Sequence, residues 1–241
     1  MKIFNKYNNQ SALSSWQLAA LDSFSEKMSD STKMFPCIPA TQGFALNQLR
    51  YGFAGKPGEE TTSAEVAALL KEFTIQSREF GNYTSLIVFL DTPDEMVEDG
   101  SVDYFEELFW KLLNQMASID EKEWVVPIPL DPENSLWEYC FHGERYFIYC
   151  ATPAHVNRKS RHFPCFMLAI TPRWALTNFD LNSKYANKIR DNIKARLIEY
   201  DSIPPHSSLN NYGSANNFEW KQYFLRDDAT LLGSCPFSRK N

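Results

Sequence analysis

The sequence predicts an α+β fold, a single domain over residues 1–241 in which helices flank one mixed or antiparallel sheet. Helical periodicity dominates the first half of the chain, and apolar runs of strand length dominate the second half. No repeat, low-complexity tract or Gly/Ser-rich linker divides the 241 residues, which suffice for one complete hydrophobic core.

The first predicted helix spans residues 11–30, where apolar side chains recur at helical spacing. Its buried face would carry Leu13, Trp16, Ala20, Leu21 and Phe24. The two prolines that follow, at positions 36 and 39, are expected to hold their segment out of helix, because proline lacks the amide hydrogen that a helix interior needs.

A second helix is predicted from residue 62 to about residue 80. Thr62 and Glu65 have the spacing of a capping box, in which each side chain satisfies a free amide of the first turn. Gly81 and Asn82 would end this helix, and the apolar run at 83–90 predicts a central strand. A third helix is predicted at 102–117.

The second half of the chain is predicted to be rich in strands. Residues 137–141 and 146–151 flank the sequence His-Gly-Glu-Arg, which favours a hairpin turn. A further strand is predicted at 163–171, where Pro172 would end it, and a helix with a basic outer face is predicted at 183–200.

Composition excludes several classes of protein. A net charge of −6 argues against a nucleic-acid partner, because neutralising phosphates requires a basic face. No apolar run approaches the roughly 20 residues of a bilayer span, and the N-terminus has no apolar signal segment. Five scattered cysteines without a CxxC pair are typical of reduced thiols. We therefore expect a soluble, cytoplasmic protein with no membrane partner.

The densest group of polar residues lies at 152–162, between two predicted strands. It contains His155, Arg158, Arg161 and His162. Arginines bind carboxylates through paired hydrogen bonds, and an imidazole coordinates a metal through one nitrogen while the other is hydrogen-bonded. The segment therefore indicates an anion or metal site. A solvated connection is the alternative, since runs of charge usually are that.

A second group lies around Cys37, which stands between Pro36 and Pro39. A stiff, non-helical backbone is suited to presenting a thiolate, although most free cysteines are small buried hydrophobes. Arg50 adds a fixed cation nearby in sequence, and the CPF sequence at 235–237 would tie the tail against this segment.

Five motifs carry a resemblance to a known family. They are FPCIPA at 35–40, WEYCFHGERYFIYCATP at 137–153, SRHF at 160–163, TPRW at 171–174 and CPF at 235–237. In this order and spacing the chain resembles the YqcI/YcgG family over nearly its whole length. The resemblance implies one haem-binding domain that acts as a monooxygenase.

Members of that family hydroxylate a nitrogen of arginine or of a cyclic guanidine, in the biosynthesis of small natural products. The resemblance therefore implies haem b with its iron, dioxygen, an external electron donor and a small guanidine or amine substrate; it leaves a homodimer open. The alternatives are a haem-binding protein that stores, senses or transports haem without catalysis, and a non-haem thiol enzyme that uses Cys37.

The family pattern also suggests site residues, although none is assigned a catalytic role. Where many members have a His-Pro pair, this chain has Thr152-Pro153, so His155 is expected to be the axial ligand of the iron, with Cys37 as the alternative. The haem propionates would be bound by Arg158, Arg161, His162 and Arg50. Glu138 is expected to pair with the guanidinium of the substrate.

Overall fold

The structure is a computed structural model that describes residues 2–8, 10–177, 184–209 and 217–239. Its strands are β1 (Arg50–Ala54), β2 (Leu86–Leu90), β3 (Tyr139–Phe141), β4 (Glu144–Ala151) and β5 (Met167–Pro172). They form one sheet in the spatial order β1-β2-β5-β4-β3. β1 and β2 run parallel, and the other neighbours are antiparallel. The predicted α+β class and mixed sheet are confirmed.

Helices cover both faces of this sheet. In the described residues they are α1 (Ser15–Ser29), α2 (Ile38–Ala45), α3 (Glu60–Gln76), α4 (Asp94–Asp99), α5 (Val102–Ser118), α6 (Arg173–Thr177), α7 (Lys184–Tyr200) and α8 (Trp220–Tyr223). Within the described residues, no helix is both long and apolar enough to span a bilayer. The predicted helices at 11–30, 102–117 and 183–200 correspond to α1, α5 and α7, although residue 183 lies outside the described residues.

The central strand β2 shows how the sheet divides the core. All five of its residues are buried, because β2 lies between β1 and β5 and is covered on both faces. Leu86, Val88 and Leu90 belong to the core under α3 and α5, which we call the first face. Ile87 and Phe89 belong to the core under α1 and α2, which we call the second face.

The first face holds the larger core, which also takes in the C-terminal segment. α3 lies very close to β1, since a Cβ atom on Gly52 would come within 2.7 Å of the Leu69 side chain. Phe237 packs against Trp124, Trp137 and Tyr139 on this face. The expected contact of the CPF tail with the Cys37 segment is therefore wrong, because Cys37 packs on the second face.

The second face is built from aromatic rings. Phe24 of α1 makes edge contacts with Tyr51, Phe89 and Phe163, at centroid distances of 5.8, 5.9 and 6.4 Å. The predicted apolar stripe of the first helix thus faces the sheet, and α1 forms part of the layer that covers the second face.

α2 and β1 were not predicted. Residues 34–37 are indeed non-helical, but Pro39 is the second residue of α2, where its missing amide hydrogen has no helical partner to lose. β1 has the sequence RYGFA, in which Gly52 interrupts the apolar pattern. β1 therefore adds a second strand to the first half of the chain, beside the predicted strand that corresponds to β2.

The predicted capping box is wrong, because α3 begins at Glu60 and both of its residues lie inside the helix. Thr62 donates its hydroxyl to the carbonyl of Lys56 at 2.7 Å, and Glu65 accepts from the Gly55 amide at 2.7 Å. The predicted end of this helix at Gly81 agrees better with the structure. A 3-10 turn follows α3, and Gly81 comes after it with φ of 109°.

The predicted hairpin is confirmed with a tighter turn. His142 and Gly143 connect β3 to β4, and both have positive φ angles, of 49° and 78°. This is the geometry of a two-residue turn whose twist matches the flanking strands. β4 then runs along β5 to the start of the polar segment at 152–162.

Candidate functional site

The segment at 152–162 is a folded plug and not a solvated connection. Thr152 and His162 form a short parallel bridge, and a 3-10 turn at Lys159–Arg161 lies between them. The side chains of His155, Arg158 and Arg161 are all buried. The guanidinium groups and the imidazole nitrogens must therefore find hydrogen-bond partners inside the protein.

Both ring nitrogens of His155 have protein partners. Nδ1 lies 2.8 Å from the Thr152 hydroxyl, and Nε2 lies 2.8 Å from the carbonyl oxygen of Leu225. Because a carbonyl only accepts, Nε2 carries the proton and Nδ1 accepts from Thr152. Burial lowers the pKa of His155 to about 4, so the ring is neutral at pH 7. An iron ligand at this position requires that one of these hydrogen bonds be broken.

Arg158 is a cross-link between the plug and the C-terminal segment. Its Nε donates to the carbonyl of Arg226 and its Nη2 to that of Asp228, both at 2.9 Å. Nη1 donates to the carbonyl of Pro204 at 3.3 Å and lies 3.8 Å from the Asp201 carboxylate. The guanidinium expected to bind a haem propionate is thus occupied by the chain itself.

Arg161 is bound in the same way but without a carboxylate. Nη1 donates to the carbonyls of Cys150 and Tyr223, and Nη2 donates to that of Gln222. Within the described residues, no carboxylate oxygen lies within 4.0 Å of this buried guanidinium. Its Cζ lies over the Tyr149 ring, 4.2 Å from the centroid. Arg161 therefore places a positive charge behind Tyr149.

The other two expected propionate partners lie apart from each other. His162 donates from Nδ1 to the carbonyl of His155 at 2.9 Å and so braces the plug. Arg50 stands at the start of β1, donates to the carbonyls of Asn47 and Leu49, and stacks on Phe80 at 3.8 Å. The structure brings His162 to the plug and leaves Arg50 outside it.

Glu138 is completely buried and already paired. Its Oε2 accepts from Nε of Arg173 at 2.8 Å, and its Oε1 lies 3.4 Å from Nη1 of Arg145. Arg173 also pairs with Glu219, whose other oxygen accepts from the Tyr223 hydroxyl at 3.0 Å. Burial raises the pKa of Glu219 to about 7. This network uses Glu138 to anchor α6 and the C-terminal segment, so a substrate guanidinium would have to replace an arginine.

A cavity of about 150 Å³ lies between α1, α2 and the second face of the sheet. Its walls are almost entirely apolar, with polar groups from a few side chains only. It is lined by Phe24, Lys27, Met28, Phe35, Cys37, Ala40, Leu49, Ser85, Ile87, Phe147, Tyr149, Met167, Ala169, Thr171 and Leu176. We call it the apolar cavity. Of the predicted site residues, it is Cys37 that lines it.

Cys37 directly precedes α2, in an extended conformation, and is half-buried. Burial raises the pKa of its thiol, while the Ala40 amide in the first turn of α2 and the charge of Arg161 act in the opposite direction. An N-terminal helix position and a nearby cation are the features that favour a thiolate. The thiol is thus protonated at neutral pH, and the Ala40 amide and Arg161 are the groups that would stabilise a thiolate.

Lys27 and Tyr149, which also line the apolar cavity, were missed by the reasoning from sequence. Lys27 follows Phe24 by three residues, so it falls on the apolar stripe of α1. A lysine within an apolar stripe was the feature of the sequence that could have identified it. Tyr149 alternates with buried residues of β4 that face the opposite side.

Comparison with known proteins agrees with this arrangement of motifs. The sequence model of the YqcI/YcgG family matches residues 24–238. YcgG of Bacillus subtilis (strain 168) is 46% identical over 229 residues, covering 95% of this chain and 90% of that protein. YqcI of the same organism is 44% identical over 227 residues, covering 94% and 89%.

A more distant relative has a name that states an activity. The protein from Streptomyces lavendulae named "Putative N(omega)-hydroxy-L-arginine synthase DcsA" is 29% identical over 233 residues, covering 94% of this chain and 85% of that protein. No solved structure matches the chain.

Proposed function

Because this chain belongs to the YqcI/YcgG family, we propose that it is a haem-dependent N-oxygenase that hydroxylates a nitrogen of a guanidine compound. The name of the Streptomyces relative supports the reaction, since it describes hydroxylation of the guanidine of arginine. The substrates are then a guanidine such as arginine or a cyclic guanidine, dioxygen, and electrons from an external donor. A small-molecule biosynthetic pathway is the setting that this reaction suits.

The side chains around the apolar cavity fit a haem in their chemistry. Haem needs an apolar envelope and one or two protein ligands, because the porphyrin supplies the other four. In the described residues, no group of three or more His, Cys, Asp or Glu side chains is arranged to hold a bare metal ion. The Cys37 thiol in an apolar wall, with the Arg161 guanidinium nearby, supplies one protein ligand and the apolar surroundings that a haem needs.

The volume of the apolar cavity fits a haem less well than its lining residues do. Cavities that enclose drug-sized ligands measure about 300–1,000 Å³, whereas the apolar cavity measures about 150 Å³. Haem binding therefore requires that the layer of α1 and α2 stand further from the sheet than it does in this structure.

The observation that carries the proposal is the place of Cys37 on this cavity. His155 has both nitrogens held by Thr152 and Leu225 and does not line the cavity, whereas Cys37 does. We therefore propose that Cys37 would hold the haem iron. Bound haem supplies the oxidative chemistry with dioxygen; the chain's own walls exclude water, and the charge of Arg161 stabilises the thiolate and the negative charge near it.

The ligand is tested by the absorption spectrum of protein expressed with a haem precursor. We expect Cys37→Ser to lose the Soret band, and His155→Gln to keep it. Cys165→Ser is the matched control, because Cys165 is also half-buried and packs on the second face without lining the cavity. Loss of the band in His155→Gln alone, with circular dichroism unchanged, would contradict the assignment to Cys37.

Turnover separates an oxygenase from a protein that only carries haem. The haem-loaded protein, given a chemical reductant and dioxygen, should convert a guanidine compound to a product heavier by one oxygen atom, measured by mass spectrometry. A Soret band without any such product over a panel of guanidines and amines would favour a haem carrier. A complete lack of haem, with catalysis lost in Cys37→Ser, would favour a thiol enzyme.

A further inference from the structure

An open cavity of about 580 Å³ lies against the last turn of α1, the end of the plug and the last residue of α7. This volume falls in the range of about 300–1,000 Å³ that binding sites for small molecules occupy. Its charged and titratable lining residues are Glu26, Lys27, Asp30, His162 and Tyr200. We call it the polar cavity. It adjoins the apolar cavity, because Lys27 belongs to the lining of both.

Two carboxylates of the polar cavity have unused oxygen atoms. In the part of the chain that the structure describes, the side chain of Glu26 has no hydrogen-bond or ion-pair partner. Asp30 uses Oδ1 alone among those residues, and it accepts there from the amide and hydroxyl of Thr32 and from the amide of Lys33, at 2.7 to 2.9 Å. The hydrogen bond from the Lys33 amide, with those from Thr32, lowers the pKa of Asp30. The carboxylate is therefore ionised at neutral pH, and Oδ2 is left for a donor from outside the chain.

His162 adds an acceptor of a different kind. Its Nδ1 donates to the carbonyl of His155 at 2.9 Å, so on a neutral ring the proton is on Nδ1 and Nε2 carries a lone pair. No group of the described residues donates to Nε2, and the side chain is exposed in the wall of the polar cavity. Both nitrogens of His155 are bound, so His162 is the histidine of the plug that offers an imidazole nitrogen to a ligand.

Lys27 is the cation of this lining, and its ammonium is held by the protein. Nζ donates to the carbonyl of His162 at 2.8 Å and to that of Lys159 at 3.1 Å, which makes Lys27 a brace between α1 and the plug. Two carboxylates against one ammonium leave an excess of one negative charge in the lining when His162 is neutral. This excess attracts a cation into the polar cavity and repels an anion.

We infer that the polar cavity binds a guanidinium group, with Glu26, Asp30 and Nε2 of His162 as its acceptors. A guanidinium is planar, stays charged at neutral pH and has five N–H donors but no acceptor. It therefore matches a lining that offers unused acceptors and an excess of negative charge. A bare metal ion does not match, because the described residues contain no group of three or more His, Cys, Asp or Glu side chains arranged to hold one.

The inference deepens the proposed function and rests on it for one point, namely that the bound guanidine is the molecule whose nitrogen is hydroxylated. The apolar cavity has no acidic residue in its lining, so a cationic guanidine finds no partner there. The polar cavity supplies the carboxylates next to it, on the other side of their common residue Lys27. The guanidinium is thus held beside the apolar cavity and not inside it.

The test is an NMR titration of the purified full-length chain with three ligands that share one alkyl group. N-butylguanidine carries the cation, N-butylurea has the same planar shape without the charge, and butylamine is a cation with a single ammonium centre. None of them needs dioxygen or a reductant to bind, so binding is measured apart from turnover. Dissociation constants come from shifts of the amide resonances around the polar cavity, and the ring nitrogen resonances of His162 report on Nε2.

Each variant removes one acceptor and keeps the other contacts of the side chain. Glu26→Gln preserves the length, and Asp30→Asn keeps the oxygen that accepts from the residues after α1. His162→Asn places an amide N–H where Nδ1 donates to the carbonyl of His155, and it has no atom in the place of Nε2. Glu199→Gln is the matched control, because Glu199 is an exposed carboxylate of α7 that does not line the polar cavity. Melting temperatures check that every variant is folded.

We expect the wild type to bind N-butylguanidine about tenfold more tightly than N-butylurea, since two carboxylates act on the cation and each ion pair open to solvent changes the affinity about two- to fivefold. Butylamine should bind more weakly than N-butylguanidine, because its donors diverge from one atom. Glu26→Gln and Asp30→Asn should each lower the affinity for N-butylguanidine about two- to fivefold, and the double variant should lose the preference over N-butylurea. His162→Asn should weaken both planar ligands, and Glu199→Gln neither.

Three results would overturn the inference: equal binding of N-butylguanidine and N-butylurea, a preference that survives in the double variant, or binding of butylamine as tight as that of N-butylguanidine. Shifts that leave the His162 ring unaffected would place the ligand elsewhere and would also overturn it. Binding in the polar cavity without hydroxylation of any guanidine by the haem-loaded protein would refute the proposed function but leave the site standing. Hydroxylation with a KM unchanged in the double variant would do the reverse.

Discussion

At the scale of single residues, the polar segment at 152–162 shows that residue type does not determine role. A histidine and two arginines between buried strands are the residues that a cofactor site requires, and here they bind carbonyl oxygens of residues 222–228. Those acceptors lie about 60 to 70 positions further along the chain. Because backbone carbonyls have no sequence signature, their presence beside His155, Arg158 and Arg161 could not be predicted from the sequence.

The neutral state of His155 leads to a prediction about pH. Its pKa in the folded protein is lowered to about 4 by burial, from an ordinary 6.5. A base with a depressed pKa contributes stability that is complete above 6.5 and is lost as the pH falls towards 4, since only the unfolded chain gains the proton. The loss should reach about 3 kcal/mol over this window, as each pKa unit corresponds to about 1.4 kcal/mol.

The measurement is the free energy of unfolding in urea, for the wild type and His155→Gln, from pH 7 to pH 4.5. The difference between the two should shrink as the pH falls. The raised pKa of Glu219 acts in the opposite sense over part of this range, but it is present in both proteins and cancels in the difference. A difference that stays constant with pH would show that the pKa of His155 is the same in the folded and unfolded chains, which would contradict its burial as a neutral ring.

At the scale of elements, the helices and strands with clear periodicity were predicted and the short irregular ones were not. α1, α5 and the hairpin have patterns of 3.6 or 2 residues along most of their length. α2 has a proline in its first turn, and β1 has a glycine at its centre. Their formation depends on neighbours that a local pattern does not contain, namely β2 for β1 and α1 for α2.

α2 is also the element on which the position of Cys37 depends. A Cβ atom on Gly43 would stand 2.4 Å from the carbonyl oxygen of Tyr83, which belongs to the backbone and cannot rotate away. We expect Gly43→Ala to displace α2 and to destabilise the protein by about 1–3 kcal/mol. If Cys37 is the haem ligand, the haem content of this variant should fall as well.

Gln42→Ala is the matched control, since Gln42 is the exposed neighbour of Gly43 in the same helix. It should leave both the melting temperature and the haem content unchanged. Full stability of Gly43→Ala would show that α2 does not pack against the Tyr83 segment as described.

At the scale of the whole molecule, the C-terminal segment at 217–239 completes both the fold and the plug. Tyr223, Phe224 and Phe237 are buried in the first-face core, and residues 222–228 provide the acceptors for the plug. We expect a chain that ends at residue 216 to fail to fold cooperatively, because it removes the carbonyl partners that residues 222–228 offer to two buried guanidinium groups and a buried imidazole.

The measurement is the thermal unfolding of this shortened chain followed by circular dichroism, compared with a chain that lacks only residues 240 and 241. The second chain should melt like the wild type, since it keeps every described contact of the C-terminal segment. A sharp transition at an unchanged temperature in the shorter chain would contradict the role given to residues 217–239.

The link between Arg161 and Tyr149 has a consequence for the order in which the protein is made. During translation the plug leaves the ribosome well before residues 222–228, so its guanidinium groups remain hydrated until those carbonyls arrive. Only then is the guanidinium of Arg161 fixed against Tyr149, which forms one wall of the apolar cavity. A chain synthesised only as far as the plug therefore lacks the carbonyls that hold Arg161 behind this wall of the cavity.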